Sequence, residues 1–283
     1  MMKYDKDNPL RCFFAFEGYN SQGLALNEIK KEHPEFEWVC VGRSEIDKYA
    51  IKAADILFPE AEDKQYGDIS QINWDEVPDF DFFTYSSPCQ DFSNAGLQKG
   101  GEEGSGTRSS LLWECRRAIE AKRPKYLMLE NVKALVSKKF LPLFHRWLAV
   151  LEELGYTNYY GVLNAKDFGV PQNRERVFCI SILGEHDIYR MPTPFPLELR
   201  LRDILEEEVD DKYVLSETAI QGFLKHNENH KSKGTGFLWI PKDVDNVGGE
   251  LANCLRAKGA LCPTDNTIRE RVYSELPEGE CGS

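Results

Sequence analysis

The sequence lacks several features that would assign the protein to a class. No apolar run in its 283 residues approaches the ~20 residues that span a bilayer, and the first residues, MMKYDKDNPLR, have no apolar stretch typical of a secretory signal. The eight cysteines form no CxxC pair and show no metal-ligand spacing with the five histidines. We therefore expect a cytoplasmic protein with no membrane partner and no metal site, in which most cysteines are buried and reduced.

Basic residues are also scarce, with 35 Lys and Arg against 47 Asp and Glu and a formal net charge of −12. An acidic total argues weakly against nucleic acid as a partner, because phosphate contacts come from clustered Lys and Arg. Segment 212–242 is the exception, since it holds five lysines against Glu217 and Glu228. A basic arm of this kind is compatible with DNA, and we expect Lys225, Lys231 and Lys233 to contact phosphates.

Short apolar runs of strand character alternate with helical segments from Leu10 onward, which predicts an α/β sheet covered on both faces. A loop with Gly169 and Pro171 and no helix separates the last two strands, so they should form a hairpin at the sheet edge. A rigid, proline-rich connector places a domain boundary near Pro192, between residues 1–191 and 192–283. The predicted strands are 10–16, 36–42, 80–85, 126–130, 159–163 and 177–183, and the predicted helices are 21–33, 47–57, 109–121 and 140–154.

In an open parallel sheet, ligands bind at the carboxyl ends of the strands, where strand order reverses. Gly18 lies in a turn after the first strand, where a glycine lets the backbone approach a ligand closely. Glu45 follows the second strand and can bind both hydroxyls of a ribose, while Ile46 can pack on an adenine ring. Asp68 can accept a hydrogen bond from an adenine amino group. The alternatives are a bare turn, a first-turn helix residue at Glu45 and a capping Asp68.

Cys89 has unusual surroundings for a core residue, because Pro88 fixes the backbone before it and a polar, glycine-containing loop follows. A nucleophilic thiolate needs such partial exposure, although a cysteine is more often inert. Glu130 ends a strand, where its carboxyl group can donate a proton to a substrate or cap the next helix. Arg174 and Arg176 are two residues apart and hence on one face of the hairpin, where they suit a carbonyl oxygen, a phosphate or a thiolate, or are exposed charges.

In this order and spacing, SSPCQDFS, LENV and PQNRERVF resemble the sequence blocks of the cytosine-5 DNA methyltransferases of restriction-modification systems and phages. FEGYNSQGLAL is similar to the first block, Glu45 and Asp68 to the next two, and TRSSLLWE precedes the helix predicted from Ser109. The resemblance covers roughly residues 10–183. It implies an S-adenosylmethionine-dependent, Rossmann-like α/β catalytic domain over 1–191 and a smaller target-recognition domain over 192–283 that binds double-stranded DNA.

The resemblance also implies a role for individual residues. Cys89 matches the nucleophile that forms a covalent adduct with a flipped-out cytosine, and Glu130 matches the residue that holds that base. Arg174 and Arg176 match its supporting arginines. The residues that match contacts to S-adenosylmethionine are Phe16, Gly18, Glu45, Ile46, Asp68, Ile69 and Pro88.

The sequence departs from the family pattern at both ends. Phe14 and Asn20 stand where the first block has an acid and a glycine, but asparagine tolerates a left-handed backbone, so the turn should survive. The arginine-rich ninth block is only hinted at by TIRERV, and the final Gly-Asn block is absent. We therefore expect exposed apolar surface near residues 13–16 and a second chain that supplies the missing blocks. The alternatives to an active DNA enzyme are an inactive fragment or split subunit and an RNA cytosine-5 methyltransferase.

Overall fold

The computed structural model describes residues 4–87, 111–206, 208, 210, 214–233, 238–242 and 251–253. Pro88 and Cys89 lie outside the described residues. The strands are β1 (Leu10–Ala15), β2 (Trp38–Ser44), β3 (Phe82–Tyr85), β4 (Tyr126–Val132), β5 (Tyr156–Asn164), β6 (Gln172–Asn173), β7 (Glu175–Leu183) and β8 (Ala252–Asn253). The α-helices are α1 (Ser21–Glu32), α2 (Lys48–Leu57), α3 (Glu114–Lys122), α4 (Leu141–Glu153) and α5 (Glu217–Lys233).

Six strands form one mixed sheet in the order β2-β1-β3-β4-β7-β5. Neighbours from β2 to β4 pair in parallel, and β7 runs antiparallel to β4. Strand order reverses at β1, because the chain adds β2 on one side of it and β3 on the other, so the carboxyl ends of β1 to β4 share one sheet edge. The predicted α/β sheet is confirmed, with β5 at the edge beside β7. The connection predicted as a plain loop contains a 3₁₀ turn, Ala165–Phe168, and β6.

The side chains of β1 alternate between the two faces of the sheet, as a strand requires. Phe14 packs with Leu26 of α1 in one buried cluster. Phe13 belongs to the larger cluster on the other face, where its ring centroid lies 5.2 Å from that of Trp74 and 5.8 Å from that of Phe83. Both Phe13 and Phe14 are fully buried. The prediction of exposed apolar surface at these two residues is therefore wrong, because helices and loops cover both faces of β1.

Gly42 of β2 is required by this packing. A Cβ atom at Gly42 would lie 2.5 Å from two ring carbons of Phe13, closer than real Cβ contacts come. The pairing of β1 with β2 also shifts register between Cys12 and Phe13. The close approach of backbone to ring thus fixes how β2, and the residues that follow it, lie beside β1.

The chain divides into two compact units, the first comprising residues 1–163 and 175–192 and the second residues 164–174 and 193–283. A single boundary near residue 192 did not anticipate that segment 164–174 belongs to the second unit. Within that unit, Phe223 of α5 stacks on Trp239 with ring centroids 5.1 Å apart. The Asn227 side chain donates to and accepts from the Trp239 backbone, both at 2.7 Å. These contacts give α5 a small core of its own.

Four cysteines lie in the described part of the chain, and all are free and buried: Cys12, Cys40, Cys115 and Cys179. Burial raises the thiol pKa of Cys40 to about 12 and that of Cys179 to about 11. The expectation of buried, reduced cysteines is confirmed for these four. No helix among the described residues is long and apolar enough to cross a membrane. The same residues contain no group of three or more His, Cys, Asp or Glu side chains placed to hold a metal ion.

Candidate active site

The turn after β1 has three residues in the left-handed region, Phe16 (φ 55°), Gly18 (φ 59°) and Asn20 (φ 62°). Asn20 caps α1, since its Oδ1 accepts a hydrogen bond from the Gly23 N–H at 2.9 Å. The expectation that asparagine preserves this turn is confirmed. A left-handed phenylalanine is uncommon, and backbone strain of this kind concentrates at functional sites. Among the described residues, no atom beyond the two chain neighbours of Gly18 lies within 4 Å of a Cβ placed there, so this side of the turn leaves room for a ligand.

The carboxylate of Glu45 joins this turn to the start of the segment leading to α2. Its Oε2 accepts from the Gly18 N–H at 3.0 Å, and its Oε1 accepts from the N–H groups of Ile46 and Asp47 at 2.8 and 2.9 Å. A carboxylate accepts about four hydrogen bonds, so acceptor capacity remains for a ligand hydroxyl. The Ile46 residue is 73% exposed and offers apolar surface beside it. α2 begins at Lys48 with Asp47 as its N-cap, so Glu45 lies outside the helix and the interpretation of it as a first-turn helix residue is wrong. The interpretation of Glu45 as a ligand contact stays a prediction.

Asp68 caps the 3₁₀ turn Ile69–Gln71, with Oδ1 accepting from the backbone N–H and the hydroxyl of Ser70, each at 2.9 Å. The capping alternative is thus realised, and the exposed carboxylate keeps a second oxygen for a ligand. Ile69 is 2% exposed and its side chain belongs to the core, so its predicted role in ligand binding falls to its backbone. Arg117 of α3 steadies the turn by donating to the Ser70 carbonyl at 3.1 Å.

A buried charged cluster lies beneath the turn. The Glu17 side chain is fully buried, and its Oε1 accepts from Arg43 Nη1 at 3.3 Å and from Gln65 Nε2 at 3.1 Å. Arg43 is equally buried; it donates to the Ala61 carbonyl at 2.8 Å and pairs with Asp55. Burial raises the pKa of Glu17 to about 7, although Arg43 opposes the shift. Sequence reasoning missed Arg43 and Gln65; the one available signal was an arginine beside the end of an apolar strand.

The end of β4 presents Glu130, whose Oε1 forms an ion pair with Nε of Arg176 at 3.0 Å. In the antiparallel register Glu130 faces Phe178 and Arg176 faces Val132, so the two charged residues are diagonal neighbours on one face of the sheet. Their side chains are 22% and 18% exposed, respectively. The ion pair is therefore mostly shielded from water, while the exposed part of each side chain remains accessible to a ligand.

Asn131, the next residue of β4, contacts the end of β3. Its Nδ2 donates to the carbonyl of Ser87 at 3.1 Å and to its hydroxyl at 3.4 Å, and both residues are 3% exposed. Ser87 stands two positions before Cys89 in the sequence. This link between β4 and the segment that leads to Cys89 was not foreseen, because only the fold reveals which strand ends are adjacent.

Arg174 lies outside β7 and belongs to the second unit. Its backbone N–H donates to Asn164 Oδ1 at 3.0 Å, and its carbonyl accepts from the Ala165 N–H at 3.1 Å. The argument that a two-residue spacing puts Arg174 and Arg176 on one face requires a continuous strand, and β7 begins between them, at Glu175. The structure therefore groups Arg176 with Glu130 and leaves the role of Arg174 a prediction.

The sequence matches a family of known proteins over most of its length. The family model for C-5 cytosine-specific DNA methylases matches residues 14–274. The chain belongs to this family. It is 50% identical over 190 residues to the type II methyltransferase M2.ScrFI of Lactococcus lactis subsp. cremoris, covering 65% of this chain and 53% of the relative. It is 35% identical over 247 residues to M1.ScrFI of the same organism, covering 86% of this chain and 60% of that relative. The chain thus spans about half to three-fifths of the length of these relatives.

The fold is similar to that of the S. pombe Dnmt2 methyltransferase, with a TM-score of 0.60 at 21% identity. The match covers 77% of this chain and 67% of that one. At this identity the likeness shows the fold, and the predicted class, a Rossmann-like methyltransferase sheet, is confirmed.

Proposed function

We propose that this chain transfers a methyl group to carbon 5 of cytosine in a specific sequence of double-stranded DNA, with S-adenosylmethionine as the cofactor. The observation that carries the proposal is the meeting of two strand ends. β3 and β4 are parallel neighbours, and Asn131 binds Ser87, so Glu130 and the segment that enters Cys89 start from the same sheet edge. A nucleophile and a base-holding acid delivered to one edge suit an attack on a single flipped-out ring.

The residues around the first turn fit a nucleoside cofactor. Open space over Gly18, spare acceptor capacity on Glu45 and the exposed side chain of Ile46 provide a backbone cradle, a ribose contact and an apolar surface for adenine. The exposed carboxylate of Asp68 can accept from the adenine amino group. Phe16, in its left-handed conformation, holds the start of the turn. In this proposal these five residues, with the Ile69 backbone and Pro88, bind the cofactor.

Carbon 5 of cytosine is too weak a nucleophile to take a methyl group unaided. In the proposed reaction the Cys89 thiolate adds to carbon 6 while Glu130 stabilises a proton on ring nitrogen 3, which moves an electron pair to carbon 5. S-adenosylmethionine, when bound, supplies the methyl group. Loss of the carbon 5 proton then expels the Cys89 thiolate and restores the aromatic ring. Arg176 holds Glu130 in place through its ion pair.

The test is covalent trapping. Fluorine at carbon 5 cannot leave as a proton does, so DNA made with 5-fluorocytosine throughout should hold the wild-type protein in an adduct that survives denaturing electrophoresis. Cys89→Ser should form no adduct, because an alkoxide does not form at neutral pH. RNA containing 5-fluorocytosine serves as the second substrate and decides between DNA and RNA. Lack of an adduct with either nucleic acid, with cofactor present and bound, would contradict the proposed reaction.

The second unit is the proposed target-recognition domain. Lys225 and Lys231 are exposed on α5. They are six residues apart, about 240° around the helix, so they point to different sides and do not form one strip. A second chain that completes the family's blocks stays a prediction, tested by repeating the methylation assay with a polypeptide that carries those blocks.

A further inference from the structure

Gln65 contacts three separate parts of the candidate cofactor site. Its Oε1 accepts hydrogen bonds from the N–H groups of Glu45, at 3.1 Å, and Gly67, at 2.9 Å. Its Nε2 donates to Oε1 of Glu17 at 3.1 Å. Glu17 lies in the turn after β1, Glu45 follows β2, and Gly67 precedes Asp68. One amide therefore joins the turn, the proposed ribose contact and the proposed adenine contact.

The backbone fixes the direction of this amide. Gln65 forms an isolated parallel bridge with Arg43, and the Tyr66 N–H donates to the Arg43 carbonyl at 2.8 Å. The segment thus runs along the outer side of β2 as a short extension of the sheet. The pairing with β2 therefore sets the position of the Gln65 backbone. The turn after β1 does not set that position, although the Gln65 side chain contacts Glu17 in this turn.

Glu17, which accepts the hydrogen bond from the Gln65 Nε2 atom, is itself held in a fixed position. It is fully buried, and the same Oε1 receives a hydrogen bond from Arg43, which is itself held by the Ala61 carbonyl and Asp55. Among the described residues, Glu17 Oε2 has no hydrogen-bond partner. A displacement of Gln65 would thus leave its contacts to Glu17, Glu45 and Gly67 unmade at once.

We propose that Gln65 is a positioning residue of the cofactor site, which fixes the backbone at Glu45 and Gly67 relative to the turn after β1. The inference rests on the proposed function, since it concerns the same cofactor. An amide is the side chain that fits, because its oxygen faces two N–H donors and its nitrogen faces a carboxylate oxygen. A carboxylate at this position would set oxygen against oxygen, and a thioether would make none of the three hydrogen bonds.

The charge on Glu17 gives the proposal a pH signature. Burial raises the pKa of Glu17, nearby Glu45 and Asp55 raise it further, and Arg43 and Gln65 lower it. In a Gln65→Glu variant two carboxyl groups face each other, and a shared proton is needed to restore the hydrogen bond. The variant should bind cofactor well at about pH 6, where one carboxyl is protonated, and progressively worse up to about pH 8.5, where both are ionised.

The experiment is calorimetric titration of the full chain with S-adenosylhomocysteine, the molecule left after the methyl group departs. Gln65→Met should bind at least about tenfold more weakly than wild type, because all three hydrogen bonds of the amide are lost. Gln65→Glu should match wild type at about pH 6 and bind at least about tenfold more weakly at about pH 8.5. The matched control is Gln221→Met on exposed α5, where affinity should not change.

Two results would overturn the positioning role: equal affinities for wild type and Gln65→Met, or a Gln65→Glu affinity, relative to wild type, that does not change between about pH 6 and about pH 8.5. If Gln65→Met does not fold, as judged by thermal unfolding, the pH series on Gln65→Glu decides alone, since both arms use the same protein. Failure of the wild type to bind S-adenosylhomocysteine would instead contradict the proposed function. The two failures are thus distinguished by the wild-type titration.

Discussion

Removal of the Glu45 carboxylate is the most direct test of the cofactor site. Glu45→Ala deletes an acceptor that now holds the N–H groups of Gly18, Ile46 and Asp47. The exposed Ile46 backbone region can be hydrated after the change, whereas the Gly18 N–H lies in a half-buried turn and loses its partner. The variant should therefore lose both the ribose contact and part of the order of the turn.

The expected loss of cofactor affinity is about 1–3 kcal/mol, the range for unpairing hydrogen-bonding groups at a partly buried site. This corresponds to a dissociation constant raised roughly 5- to 150-fold. Glu45→Gln should lose affinity to a similar extent even though it preserves size. Whichever way the amide is turned, its NH₂ group faces a backbone N–H of Gly18 on one side or of Ile46 and Asp47 on the other.

Calorimetry with S-adenosylhomocysteine measures both variants, and Glu153→Ala at an exposed position of α4 is the matched control. Circular dichroism of each variant verifies that the first unit remains folded. Wild-type affinity in Glu45→Ala, together with wild-type affinity in Asp68→Ala, would remove both carboxylates from the cofactor site. Loss in Glu45→Ala with a normal Glu45→Gln would show that the amide finds an orientation that the hydrogen-bond argument excludes.

Two further predictions concern the core and DNA binding. Gly42→Ala should lower the free energy of unfolding by about 1–3 kcal/mol in a denaturant titration, since its Cβ would overlap the Phe13 ring. In the control Gly161→Ala the nearest atom would lie 3.5 Å from the new Cβ, so the free energy of unfolding should change by less than about 1 kcal/mol. Replacing Lys225 and Lys231 by alanine should flatten the salt dependence of DNA binding by about one unit of slope. The two lysines point to different sides of α5, so we expect one of them to contact a phosphate. An unchanged slope would exclude both from phosphate contact.

The alternation of strands and helices was predictable because it depends on local apolar periodicity. β3 (Phe82–Tyr85), predicted at 80–85, and helix α2 end at the residues expected from the sequence, although β3 begins two residues later than predicted. β5 begins at Tyr156, three residues earlier than predicted. The prediction missed these residues because Thr157 and Asn158 interrupt the apolar pattern. Asn158 is kept in the sheet by hydrogen bonds with Ser181 and the Leu148 carbonyl, at 2.6 and 3.2 Å. Such long-range partners cannot be inferred from a local window.

The candidate site divides in the same way. The left-handed turn at Asn20 follows from the intrinsic tolerance of asparagine, which the sequence displays. The contacts among Glu17, Arg43 and Gln65 depend on the register of β2 beside β1 and on the path of the segment that follows α2. Each of these residues reads as an ordinary polar side chain when taken alone. Their convergence is a property of the parallel sheet edge, so it appears only once the topology is known.

The end of β4 shows why adjacent polar residues at a strand end act in different ways. Successive side chains of a strand point to opposite faces, so Glu130 and Asn131 cannot serve the same contact. Glu130 meets Arg176 from the antiparallel neighbour, while Asn131 meets Ser87 at the end of the parallel neighbour. The dipeptide Glu130-Asn131 therefore places the proposed base-holding acid next in sequence to the residue that binds Ser87, two positions before Cys89. Inserting or deleting a residue here would exchange the two faces, and both contacts would be lost together.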